Sequence, residues 1–134
     1  MNFRLARAAH LRLGRLGERD ARKLLEDKGY LFLASDWRCP AGELDLVMRD
    51  GATVVFVEVK TLRRRGFFGP LANLSLRQMR RNIRAGQRYL RDYAPDGSEC
   101  RYDLVEVVRG DWGCCEIRHH QRFIGTEMLN RPTA

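Results

Sequence analysis

The chain has 134 residues, 44% of them hydrophobic and 31% charged, which suits one folded domain over residues 1–134 with a single core and excludes a disordered chain. Its formal net charge of +8 points to a polyanion, either nucleic acid or an anionic surface. No apolar run reaches the length of a membrane span or a signal-peptide core, and the four cysteines (Cys39, Cys100, Cys114, Cys115) form no CxxC pair. The expected setting is therefore a reducing cytoplasm without a membrane partner, and zinc ligation with His119 or His120 is disfavoured by the spacing.

In chain order, residues 1–14 read as a basic helical lead-in to a helix over about Leu16–Lys28. Ala21, Leu24 and Leu25 share one side of it, and Gly29 ends it. A strand follows over about Tyr30–Arg38, and Pro40 with Gly42 turns the chain. Glu43–Arg49 and Thr53–Lys60 read as two strands joined by Asp50-Gly51, a strong hairpin signal. Thr61–Asn73 reads as a loop, and Ser75 as the N-cap of a second helix ending near Tyr93. Tyr102–Val108 and Cys115–Ile124 complete the strands, and residues 130–134 form a frayed tail. The order αβββαβ plus a late strand predicts an α/β fold: a mixed central sheet flanked by helices.

The positive charge is concentrated. From Val59 to Arg91 there is no Asp or Glu, while Lys60 and nine arginines fall there, more than the excess of the whole chain. On the second helix, Leu76, Met79, Ile83, Gly86, Leu90 and Tyr93 occupy one sector. Arg77, Arg80, Arg81, Arg84, Arg88 and Arg91 occupy another. Ordinary solvated faces mix signs, because i,i+4 acid–base pairs stabilise them. Six arginines without an acid suit a phosphate backbone instead.

The hairpin carries the chemistry. Alternation puts Glu43, Asp45 and Val47 on one face of the first strand, with Leu44, Leu46 and Met48 opposite, and Val54, Phe56, Glu58 and Lys60 on one face of the second. With Arg49 paired to Ala52, Asp45 lies opposite Phe56 and diagonal to Glu58; a four-residue loop would put Asp45 directly opposite Glu58. Two carboxylates about 5 Å apart repel by about 3 kcal/mol at an effective dielectric near 20, and a bound divalent cation reverses that sign. Asp45, Glu58 and the Val59 carbonyl are oxygen donors of the kind Mg²⁺ or Mn²⁺ prefers. Lys60, on the same face as Glu58, can orient a water and stabilise charge developing on phosphate. The bland alternative is a solvated sheet face with two acids and a neutralising lysine.

Gly42-Glu43-Leu44-Asp45 and Val57-Glu58-Val59-Lys60 resemble the D…ExK core of the PD-(D/E)XK nuclease superfamily. More narrowly, the chain resembles the YraN family of bacterial proteins, whose fold is similar to archaeal Holliday-junction resolvases. Leu16-Gly17-Glu18…Ala21 resembles that family's opening helix, and Gly29-Tyr30 and Arg38 fit its first strand. Phe68-Gly69-Pro70 fits the following loop, Arg77-Gln78 stands where Lys-Gln is usual, and Arg101-Tyr102-Asp103-Leu104-Val105 resembles its R-F-D-V-V strand. No Pro precedes Asp45, a departure from the superfamily pattern.

The resemblance implies a restriction-endonuclease-like core with Asp45, Glu58 and Glu18 as metal ligands and Lys60 as the catalytic lysine. Glu18 also borders the face of its helix that packs on the sheet, although a first-turn acid is favoured there by the helix dipole in any case. Asp103 is left outside the catalytic set, as strand structure or a tie for the basic helix. The expected function is Mg²⁺- or Mn²⁺-dependent endonucleolytic hydrolysis of DNA, selective for branched, flap or single-stranded structure. Arg63, Arg64, Arg65, Arg77, Arg81, Arg84 and Arg88 would grip the backbone, with Gln78 flanking the site. A nuclease-like module that binds nucleic acid without cutting is the alternative. RNA is not separated from DNA as the target, and a homodimer would suit two-fold junctions.

Overall fold

The computed structural model describes residues 2–64, 74–130 and 132, with the backbone alone at Cys115. The elements are α1 (Phe3–Asp27), β1 (Leu31–Cys39), β2 (Gly42–Asp50), β3 (Thr53–Arg63), α2 (Leu76–Tyr93), β4 (Cys100–Gly110), β5 (Gly113–Ile124) and a closing 3-10 turn (Thr126–Asn130). This is the expected order of helices and strands, consistent with a restriction-endonuclease-like core. The strands form one sheet in the order β1-β2-β3-β4-β5. All neighbours are antiparallel except β3 and β4, which run parallel with α2 as the crossover. Among the described residues, no helix is long and apolar enough to cross a membrane.

β3 lies at the centre and is covered on both faces. Val55, Val57 and Val59 pack with Ala21 and Leu25 of α1 and with Val105 and Val107 of β4. Val54 and Phe56 pack with Ile83, Ala85 and Tyr89 of α2 and with Tyr102. Burial on both faces explains a strand that is apolar almost throughout. Each such side chain contributes roughly 1.5–3 kcal/mol when fully buried, so Glu58 within this run forgoes that gain.

Several boundaries and packings differ from the sequence reading. The first helix begins at Phe3 rather than near Leu16, because the Asn2 side chain accepts from the amides of Arg4 and Leu5 and caps it there. The basic lead-in is helical, as expected, and continuous with the rest of α1, with Phe3 and Leu5 exposed. Thr61–Arg63, read as loop, continue β3, because β4 pairs alongside them as far as Arg109. Arg65 and the Phe68-Gly69-Pro70 motif lie outside the described residues. The buried stripe of α2 comprises Asn82, Ile83, Ala85, Gly86 and Tyr89. Tyr93, expected on that stripe, is exposed: its ring meets Trp37 and Tyr89, while Tyr89 reaches the buried Phe56.

The hairpin register also changes. Asp50 pairs with Thr53, so the two-residue turn is Gly51-Ala52, with positive φ at Gly51. That pairing continues to Leu46 opposite Val57, which brings Asp45 in line with Glu58 rather than with Phe56. Leu44 leaves the side of Leu46 and Met48 and packs in the α2 layer. The switch falls where β1 holds Asp36 at φ 48°, in the left-handed region.

Candidate active site

The β2–β3 ladder runs from Asp50–Thr53 to Leu46–Val57 and stops there. At the next position the Asp45 side chain takes over: its Oδ2 accepts from the Val59 amide at 2.8 Å. A carboxylate thus replaces the strand carbonyl, and the two strands part around it. Because a strand residue's N–H and C=O point to the same edge, the Val59 carbonyl faces the same opening.

Glu58 enters that opening from the α2 layer and is only 5% exposed. Its Oε2 accepts from Asn82 Nδ2 at 2.8 Å, and Asn82 Oδ1 accepts from Gln78 Nε2 at 3.1 Å. Ser75 caps the start of α2 by accepting from the Gln78 amide at 3.1 Å. Gln78 therefore reaches the site through Asn82. Lys60 Nζ stands 3.7 Å from Glu58 Oε1, with its side chain 41% exposed. From the other layer, α1 brings Glu18, His10, Leu13 and Gly14 to a cleft of about 210 Å³ that Asp45, Glu58, Val59, Lys60 and Thr61 also line.

Two glycines permit this approach. A Cβ on Gly17 would fall 1.8 Å from Thr61 Oγ1, so α1 can lie this close to β3 only with glycine beside Glu18. A Cβ on Gly42 would fall 2.3 Å from the Arg81 carbonyl oxygen, so the β1–β2 turn can nest under α2 only without one. Both glycines belong to the motifs noted in the sequence, Gly17-Glu18 and Gly42-Glu43-Leu44-Asp45.

The electrostatics are unfavourable without a cation. Burial pushes the Asp45 carboxyl well above the usual carboxylate range, and the Glu58 charge adds to it. The Val59 amide offsets this in part, and Glu18 adds a smaller push. Glu18 is raised too, first by burial and then by Asp36 and Glu58, against the lowering effect of Arg38. A half-buried acid raised by the charge of a neighbouring acid is a common signature of a ligand site.

The donors fit a hard divalent cation in chemistry: two carboxylates and a main-chain carbonyl. Among the described residues, however, no three His, Cys, Asp or Glu side chains gather closely enough to hold a metal alone. Glu18 lines the cleft without closing a three-acid cage with Asp45 and Glu58. Such an incomplete set suits Mg²⁺, which keeps several waters and takes one or two carboxylates.

The arginines divide into groups. Arg63 and Arg64 are exposed at the end of β3. Arg77, Arg80, Arg81 and Arg84 line a second cleft with Pro40 and Ala41. Arg80 Nε is tied to the Met128 carbonyl at 3.0 Å, and Arg88 Nε to Asp92 Oδ2 at 2.9 Å. Arg88, expected to grip a backbone, is thus partly neutralised within its own helix. Asp103 holds β4 to β5 through His119 and the Arg122 amide, not the basic helix to the sheet.

Sequence reasoning missed Asn82, His10 and Thr61. Asn82 left a signal: it is a polar residue four positions after Gln78 and next to Ile83. His10 left none, because the basic lead-in was not expected to reach the sheet.

The family model described as "Uncharacterised protein family UPF0102" matches residues 17–107, a span that holds Glu18, Asp45, Glu58, Lys60 and Asn82. A UPF0102 protein of Alkalilimnicola ehrlichii is 44% identical over 117 residues, covering 85% of this chain and 90% of that protein. One from Beutenbergia cavernae is 40% identical over 107 residues, 80% of this chain and 91% of the other. One from Moorella thermoacetica is 38% identical over 118 residues, 88% and 92% of the two chains.

Proposed function

The chain belongs to the UPF0102 family, and we propose that it is a metal-dependent endonuclease that hydrolyses DNA phosphodiester bonds. The observation that carries this reading is the meeting of Asp45, Glu58 and Lys60 where β2 and β3 part. Asp45, Glu58 and the Val59 carbonyl would hold Mg²⁺ or Mn²⁺, with Glu18 joining from α1. Such an ion, when bound, would supply Lewis acidity toward phosphate and activation of the attacking water.

The chain's own groups do the rest. The Val59 amide fixes Asp45, and Asn82 fixes Glu58 by its Oε2, leaving Oε1 toward the cleft. Lys60 supplies a positive donor beside Glu58, where charge grows on a phosphate oxygen in the transition state. Arg63 and Arg64 lie roughly 10 Å farther along β3 at about 3.3 Å per residue, within reach of the neighbouring backbone. Arg77, Arg81 and Arg84 extend that grip along α2. Backbone contacts carry little sequence information, so preference falls on DNA shape: branches, flaps or single strands.

The test is a cleavage panel of duplex, flap, junction and single-stranded DNA with Mg²⁺, Mn²⁺ or chelator. We expect metal-dependent cutting that Asp45→Ala/Glu58→Ala abolishes. Equal activity in that double variant would sink the assignment.

The lack of a three-acid cage favours a second reading, a nuclease-like fold that binds DNA or RNA without cutting. Salt-sensitive binding with no cleavage under any divalent metal would establish it.

A further inference from the structure

Glu106 occupies a position that the proposed chemistry does not use. In the parallel register Glu58 stands opposite Leu104 and Lys60 opposite Glu106. Paired residues and every second residue share a face. Glu58, Lys60 and Glu106 therefore line one face of the sheet, side by side on adjacent strands. Glu106 is 2% exposed, and its Oε1 bonds to His120 Nε2 on β5. Its Oε2 is buried and has no hydrogen-bond partner, the one such side-chain atom among the described residues.

A buried carboxylate oxygen without a partner calls for a cation or a donor. Arg118, opposite Glu106 on β5, is engaged with Glu116 at 2.8 Å. His120 already serves Oε1. A second metal ion is disfavoured, because Glu106 and His120 give only two donors and the Lys60 charge stands on the adjacent strand. Lys60 itself has three N–H donors, and its contact with Glu58 Oε1, at 3.7 Å, is longer than a hydrogen bond.

We propose that Lys60 works between two carboxylates: Glu58 when the cleft is empty, and Glu106 when Glu58 Oε1 is engaged. Glu58 Oε2 is held by Asn82, so any ligand of Glu58 must take Oε1 and displace the ammonium. Glu106 then receives it across the strand pair and keeps it beside the cleft rather than free in solvent. His120 holds Glu106 in place from β5. Glu106 is on this account a positioning residue that acts through Lys60. The inference rests on the reading of Asp45 and Glu58 as a ligand centre.

The experiment is a metal-free crystal structure of Glu58→Gln. With Asn82 donating to the amide oxygen, the amide N–H₂ faces Lys60 and repels it. We expect Lys60 Nζ within hydrogen-bond distance of Glu106 Oε2. Lys60 in solvent, or another donor on Oε2, overturns the proposal; Glu58→Ala gives the same readout should the Gln variant fail to fold. In the otherwise wild-type enzyme, Glu106→Gln is expected to lower kcat about tenfold with KM for DNA and metal unchanged. A fall in thermal stability with kcat unchanged also overturns it. Should the wild type cut no DNA at all, the proposed function fails while the Lys60 position in Glu58→Gln still decides this inference.

Discussion

Asp103 on β4 is wholly buried, and its neighbours are donors. Arg101 Nε lies 3.1 Å from its Oδ1, His119 Nε2 2.8 Å from its Oδ2, and the Arg122 amide 3.0 Å from Oδ1. Arg101 continues to Asp50 at 3.0 Å and to the Tyr30 hydroxyl at 2.6 Å, and Lys28 Nζ meets His119 Nδ1 at 2.8 Å. Lys28 as donor makes Nδ1 the acceptor, so His119 donates to Asp103 through Nε2. Asp45 and Glu58, on neighbouring strands, face each other with one amide on Asp45, one amide group on Glu58 and the half-exposed Lys60 at 3.7 Å from Glu58.

Desolvation is the largest influence on both aspartates and raises both. At Asp103, His119, Arg122 and Arg101 outweigh it and hold the carboxyl below its usual range. At Asp45, Glu58 reinforces it and the carboxyl rises. Burial alone therefore does not set the direction in which an acid is shifted. A buried acid surrounded by donors strengthens the fold, whereas two acids facing each other with few donors raise the cost of holding both charges.

The strongest way to break this contrast is to remove one charged group from each set. Glu58→Ala should lower DNA cleavage by roughly 10³-fold, the scale of a lost electrostatic group in a water-poor site, while leaving the melting temperature unchanged or higher. Arg101→Ala should do the reverse. It removes the arginine charge from Asp103, Asp50 and Tyr30, leaving Asp103 only His119 and the Arg122 amide, and should cost about 3 kcal/mol in urea unfolding. A harmless Arg101→Ala would show the network to be dispensable.

The pH dependence sharpens the comparison, because the two aspartates have opposite signs. The folded Asp45 pKa is raised, so its contribution to stability is full below the ordinary value near ~3.9. That contribution is lost as pH rises through the raised folded value. Asp103 is lowered, so its contribution is present above ~3.9 and lost as pH falls through the folded value. In chelator, wild type should lose ground to Asp45→Asn as pH rises from about 5 to 8, with a difference on the order of 1 kcal/mol. The advantage of wild type over Asp103→Asn should shrink below about pH 4. Parallel melting curves across that range for wild type and Asp45→Asn would contradict the first expectation.

The smallest effect should come from the arginines that touch neither set. Each of Arg77→Gln, Arg81→Gln and Arg84→Gln should weaken DNA binding almost evenly across sequences and reduce the salt slope by about 1. Arg88→Gln should change it less, since Asp92 already takes that guanidinium. An unchanged slope in the triple variant would move the DNA path off α2.

The order of elements, the hairpin and the pair of acids followed by Lys60 were legible in the chain, because they rest on local rules: period-two alternation, glycine punctuation and caps. The acid-free basic segment was legible as well, since charge is counted and not folded. What the tertiary structure decided was where those pieces meet. Local turn preference favoured Asp50-Gly51, but the ladder set the turn at Gly51-Ala52 and thereby aligned Asp45 with Glu58. The parting of β2 and β3 cannot be read from either strand, because it depends on Asp45 replacing a carbonyl on Val59, fourteen residues away. Asn82 on Glu58 and the unpartnered oxygen of Glu106 arise only when a distant helix and a parallel strand close on β3. Sequence determines which groups are available at short range; which buried charges are satisfied is settled only by long-range neighbours, and here that separates the acid that holds the fold from those that face the cleft.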